Sequence, residues 1–129
     1  TPDVLSIENE DIIKLTIYHP TECEELCTPE FIPYWKKHAQ VAAAGKEWVD
    51  CNALGVSKWT AISYLMEHFG IAADEVCVFG DNLNDIEMLT NAGTSYAVSN
   101  ARPEVIQAAK YTCAPYWESG VLQILKTFL

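Results

Sequence analysis

The segment Val78-Phe-Gly-Asp-Asn-Leu-Asn-Asp-Ile-Glu-Met-Leu89 crowds two carboxylates, Asp81 and Asp85, and the amide of Asn84 into a few residues. An apolar run ends at Gly80, Asp81 follows at once, and Asn84 and Asp85 stand at the mouth of the next helix. In a parallel sheet that place is the carboxyl edge of the strands, where α/β folds bind their ligands. Carboxylates gathered there repel unless something positive joins them, and a hard cation such as Mg²⁺, held with waters and a substrate phosphate, answers that need. The same acids equally serve as an N-cap and a first-turn acid favoured by the helix dipole. A second candidate, Lys58 in Gly55-Val-Ser-Lys-Trp-Thr60, opens a helix, where its charge opposes the dipole and a nearby anion would offset it. A solvated surface lysine is the alternative.

These groups need elements to position them. Around Lys58, Ser57 is a plausible N-cap, and Ile62, Leu65, Met66 and Phe69 form a stripe ending at Gly70, which predicts a helix. Val76 to Phe79 reads as a strand buried on both faces, and Asn84 to about Thr90 as the helix after it. Tyr96 to Val98 and Tyr111 to Cys113 are further short strands, with helices over Pro103 to Lys110 and Gly120 to Phe128. This alternation of strand and helix is that of parallel α/β units. The earlier residues read differently. Asp11 to Tyr18 alternates like a half-buried strand, and a Glu-rich turn follows Pro20. Glu30 to His38 has helical spacing, constrained by Pro33, while Gln40 to Ala44 and Glu47 to Ala53 look like a strand pair about Gly45-Lys46. The seam falls near Ala53 to Val56, giving expected units of 1–54 and 55–129.

Composition narrows the function. The 129 residues are half hydrophobic, which suits one compact globule, and the net charge of −10 argues against a nucleic-acid surface. No apolar run approaches the roughly 18 residues that span a bilayer, so no membrane partner is expected. Five cysteines without Cys-x-x-Cys spacing fit small buried thiols in a reducing cytoplasm, and Cys23 and Cys27, four apart without a matching histidine, make no zinc site. His19, His38 and His68 are scattered over unlike elements, and neither they nor Ser63, Thr60 or Cys77 carry the spacing of a metal site or a triad.

Taken in order, Gly55-Val-Ser-Lys58 opening a helix, Gly80-Asp-x-x-Asn-Asp-x-x-Met-Leu89, Ala92-Gly93, Asn100-Ala101 and Glu104-Val105 resemble the haloacid dehalogenase (HAD) superfamily, in its Cof-type branch of Mg²⁺-dependent sugar-phosphate phosphatases. The resemblance runs from about Trp48 to the C-terminus, so the chain is expected to hold only a C-terminal portion of the family pattern. It implies an α/β fold: part of a three-layer α/β/α Rossmannoid core preceded by the remnant of an α+β cap. It also implies that Asp81 ligates Mg²⁺, that Asp85 supports the metal shell directly or through water, and that Asn84 donates to the substrate phosphate. Lys58 would neutralise the phosphoryl group and a nucleophilic aspartate, whose aspartyl-phosphate water then cleaves.

The family's nucleophile lies in an Asp-x-Asp-Gly-Thr segment, and this chain contains no Asp-x-Asp. The implied substrate is a small phosphorylated metabolite, and the 129 residues by themselves are expected to be inactive. Phosphomutase-type transfer and a non-catalytic partner-binding module are the alternatives. An uncovered sheet edge beside Val76 to Phe79 suggests self-association. Trp59 and Tyr96 depart from the family's small residues, which bears on substrate range more than on metal binding.

Overall fold

The computed structural model describes residues 12–27, 29 and 31–129. Asp11 and Glu30, which enter the reading of the early segments, lie outside the described residues. The first part pairs three antiparallel strands, β1 (Lys14–Tyr18), β2 (Gln40–Ala43) and β3 (Trp48–Asn52), in the order β1-β3-β2. Two short helices, α1 (Cys23–Cys27) and α2 (Phe31–Trp35), lie between β1 and β2. The expected strand pair about Gly45-Lys46 is present, whereas the Glu-rich turn is helical: Glu24 and Glu25 occupy its first turn, where acids suit the dipole. Tyr18 packs against Trp48 with the rings tilted and their centroids 4.4 Å apart, one of the cross-strand pairs that fix the register.

The second part is a parallel sheet, β4 (Cys77–Gly80), β5 (Thr94–Val98) and β6 (Tyr111–Cys113), in the order β4-β5-β6. Helices α3 (Lys58–Phe69), α4 (Ile86–Asn91), α5 (Pro103–Ala108) and α6 (Gly120–Leu125) surround it. Val78 and Ala97 on one sheet face meet Met88, Leu89 and Ala92 of α4 and Val105 of α5 to form the buried core. Phe79, Tyr96 and Tyr111 make an aromatic row on the other face, with centroid spacings of 5.4 and 5.3 Å, and Val121 of α6 shares a cavity wall with Phe79 and Val98. The result is the three-layer α/β/α arrangement expected, with a mixed set of sheets. Among the described residues β4 is an edge strand rather than an interior one, because β5 is its sole partner.

α3 is bounded as its sequence predicts. Ser57 Oγ accepts the Thr60 N–H at 3.1 Å while Thr60 Oγ1 accepts the Ser57 N–H at 2.8 Å, a reciprocal cap. Gly70 ends the helix at φ +67°, a left-handed conformation that costs glycine little. Trp59 and Ile62 pack on the core, but Leu65 and Phe69 of the expected stripe are exposed.

Candidate active site

Lys58, Asn84 and Asp85 converge where β4 runs into α4. After Gly80 the chain enters a 3₁₀ turn, Leu83–Asp85, whose first N–H is capped by Asn82 Oδ1 at 2.8 Å. That turn points the Asp85 carboxylate inward. Its Oδ2 accepts the backbone N–H groups of Asp81 at 2.9 Å and Asn82 at 3.1 Å, and its Oδ1 pairs with the Lys58 ammonium. A carboxylate only 2% exposed is costly unless paired and hydrogen-bonded, and here both oxygens are engaged. The pairing also explains a lysine in the first turn of α3, since Asp85 offsets the charge that the helix dipole opposes.

Gly80 permits this approach. A Cβ built there would stand 2.6 Å from Asp85 Cβ and 3.0 Å from Leu89 Cδ1, below ordinary contact distance. Gly80→Ala is therefore expected to lose about 1–3 kcal/mol of stability as Asp85 and α4 are pushed aside, read as a lower urea midpoint at unchanged m-value.

A cavity of about 380 Å³ opens over Lys58 and Asn84, and Lys14, Gln40, Asp50 and Asn52 of the antiparallel sheet also line it. Lys14 and Gln40 both sit directly opposite Asn52 in the strand register, so the three form one polar row on one sheet face. Asp50, two residues before Asn52, is buried and held by Lys14 Nζ at 2.6 Å and Thr16 Oγ1 at 2.9 Å. The sequence carries no motif for this row, because it arises only when strands distant in the chain pair.

Asp81 is placed differently. It is exposed and lines a separate cavity of about 260 Å³ with Phe79, Val98, Asn100 and Tyr116. The structure thus places Lys58 and Asn84 on one cavity, holds Asp85 behind them through its pair with Lys58, and joins Asp81 to Asp85 through the Asp81 backbone N–H. Among the described residues no three His, Cys, Asp or Glu side chains gather into a metal cluster. The donors still fit Mg²⁺ in part. Asp85 has both oxygens engaged, while Asp81 offers an exposed carboxylate, and this ion accepts one or two carboxylates when phosphate and water complete its shell.

The family model for haloacid dehalogenase-like hydrolases matches residues 2–125. The chain belongs to this family. Its fold is that of HAD proteins of the Cof-like branch. A solved structure from Eubacterium rectale is 70% identical, with a TM-score of 0.78, covering 100% of this chain and 49% of that one. A HAD/Cof-like hydrolase from Plasmodium vivax is 31% identical at a TM-score of 0.82, covering 89% of this chain and 41% of that one. The 5-amino-6-(5-phospho-D-ribitylamino)uracil phosphatase YbjI of Escherichia coli is 41% identical over 85 residues, 66% of this chain and 31% of that protein. The chain spans half or less of the length of each.

One expectation is overturned. The likeness does not begin near Trp48, nor is it confined to a C-terminal portion, because the family model takes in residues 2–125 and the Eubacterium rectale structure covers the whole chain. The antiparallel strands, expected as strands, fall outside the motif-based extent of the likeness because what they share with the family is strand pairing and register rather than motif residues.

The antiparallel and parallel parts of this HAD chain are tied by Glu24 of α1 and Arg102 before α5. Arg102 Nη1 donates to Glu24 Oε1 at 2.7 Å, and its Nη2 donates to Oε2 in a bidentate pair. The guanidinium holds the Glu24 carboxyl below the usual range, against the opposing effect of burial, and Glu24 in turn raises Arg102. A depressed carboxylate stabilises the fold above its unfolded value, near 4.5, and that contribution is lost as pH falls through the folded value. Glu24→Gln is expected to cost about 1–2 kcal/mol at neutral pH and progressively less in acid, so the stabilities of variant and parent should converge as pH falls through the depressed folded value.

Proposed function

We infer that this chain provides part of the phosphoryl-binding site of a phosphatase that hydrolyses small phosphate monoesters, sugar phosphates or similar metabolites, through an aspartyl-phosphate. The observation that carries the reading is the Lys58–Asp85 pair anchored on the backbone N–H groups of Asp81 and Asn82, with Asn84 beside it in a polar cavity. Family membership supports it, as do relatives whose names describe phosphatases.

In this reading Lys58 places a positive charge against the phosphoryl oxygens, and the inward Asp85 holds the ammonium in position. Asn84 donates its amide to the phosphate. Charge-assisted donors of this kind act most strongly where charge develops in the transition state. Mg²⁺, with Asp81 as one ligand, would supply a Lewis acid for the transferred group. The row Lys14, Asn52 and Gln40 faces the remainder of the substrate with hydrogen-bonding groups suited to hydroxyls. Residues 1–54 then serve as a cap over a core of residues 55–129.

Orthophosphate binding followed by ³¹P NMR tests the site: line broadening that disappears in Asn84→Ala is the expected outcome, and unchanged broadening would count against it. With no Asp-x-Asp in the chain, the 129 residues alone should release no phosphate from a hexose phosphate with Mg²⁺. Robust release would overturn that expectation, and a shifted phosphate in place of free phosphate would point to a phosphomutase.

The free edge of β4 is proposed to pair with a second copy, and a strictly monomeric boundary in sedimentation would refute it. No helix among the described residues is long and apolar enough to cross a membrane. The cytoplasm is the proposed compartment, in keeping with five free thiols.

A further inference from the structure

The short helix α1 carries two thiols in contact. Cys23 Sγ lies 3.8 Å from Cys27 Sγ, and Cys23 also donates to the Ile17 carbonyl at 3.3 Å. Cys23 is fully buried and Cys27 half-buried. Residues four apart in a helix have Cβ atoms roughly 5–6 Å apart, wider than the roughly 3.5–4.5 Å of a disulfide, so linking this pair must loosen the turn of α1 that separates them. Bond formation asks the sulfurs to close from contact to about 2 Å, and a helix of five residues has little regular hydrogen bonding to resist that adjustment. Cys27 also borders an open cavity of about 520 Å³, walled by Leu26, Phe31, Tyr34 and Trp35, an apolar setting for a small reagent.

We propose that Cys23 and Cys27 form a dithiol oxidation site, at which an organic hydroperoxide converts the pair to a disulfide within α1. The accessible Cys27 sulfur attacks the peroxide oxygen, breaking the O–O bond to give a sulfenic acid and releasing the alcohol. The Cys23 sulfur then attacks the sulfenic sulfur, forming the S–S bond and expelling water. Two thiols and one hydroperoxide thus give one disulfide, one alcohol and one water; both sulfurs are oxidised and the peroxide is reduced. The order of roles follows from access. Burial first, and the neighbouring Cys27 thiol after it, push the Cys23 thiol above its ordinary value, which suits a resolving partner better than an attacking one. The remaining thiols, Cys51, Cys77 and Cys113, are each held up by burial as well, and among the described residues no other thiol pair lies in contact.

The test treats the native 129-residue protein with cumene hydroperoxide, blocks residual thiols by alkylation and maps the products by mass. Cleavage after Glu24 and Glu25 separates Cys23 from Cys27, so a linked peptide reports the disulfide directly. The expected result is that linked peptide, with a loss of two hydrogens, reversed by dithiothreitol, while Cys51, Cys77 and Cys113 remain alkylatable. Cys27→Ser, at a half-buried position that leaves the core untouched, should abolish the link and leave Cys23 reduced. Over-oxidation of Cys27 to sulfinic acid without linkage would overturn the proposal. So would prior oxidation of any other cysteine, or no reaction at this pair.

Discussion

Lys58→Met lowers the affinity of the protein for orthophosphate by about 10- to 100-fold, the effect expected when a charge-assisted donor worth roughly 1.5–3 kcal/mol is removed. Two changes act together. The anion loses its cation, and Asp85, 2% exposed, keeps a negative charge that the ammonium no longer balances. Lys58 itself is half exposed, so solvent screens the pair, and the two backbone N–H groups still hold the Asp85 carboxylate, so the loss to folding is expected to be about 1–2 kcal/mol. The variant should therefore fold, and calorimetric titration with phosphate reads the loss directly. Lys58→Arg should recover part of the affinity, because it keeps the charge but alters the shape of the donor. Unchanged affinity in Lys58→Met would remove the lysine from the site.

Asp85→Ala has the larger effect on stability, about 2–4 kcal/mol, because two backbone N–H groups lose a charged acceptor while the half-exposed Lys58 is left to solvent. The Asp81 and Asn82 N–H groups lose their acceptor, the turn Leu83–Asp85 loses its anchor, and the space under Gly80 empties. Asp85→Asn keeps an acceptor oxygen for the two N–H groups and should cost less than the alanine. Urea unfolding of the two variants separates the backbone contribution from that of the charge. If alanine and asparagine were equally mild, Asp85 would not anchor the loop.

Much of the parallel half was legible before any coordinates. Ser57 and Gly70 bound α3 because caps are local in sequence, and the short apolar run beside Gly80 is a strand within a residue of its expected limits. Asp81 and Asp85 show where local reading stops. By type and spacing they are two equivalent acids, yet a 3₁₀ turn buries one and leaves the other open, and that turn depends on Asn82 and on the space over Gly80. The polar row of Lys14, Asn52 and Gln40 was not legible, since it requires pairing between strands tens of residues apart. The Glu24–Arg102 tie spans 78 residues and left no trace in periodicity. Leu65 and Phe69 looked like core because a helical stripe reports amphipathicity, not which elements are there to cover it.

The Asp85 carboxylate, clamped between two backbone amides and an ammonium, means that the loop and the Lys58 head group, proposed to face phosphate, are preorganised. Their rotational freedom is already lost at folding, so an arriving ligand need not freeze the loop again, and reorganisation enters the binding free energy as a small term. Discrimination among ligands then falls to the far wall of the cavity, where the antiparallel strands can vary their side chains without disturbing the fixed end.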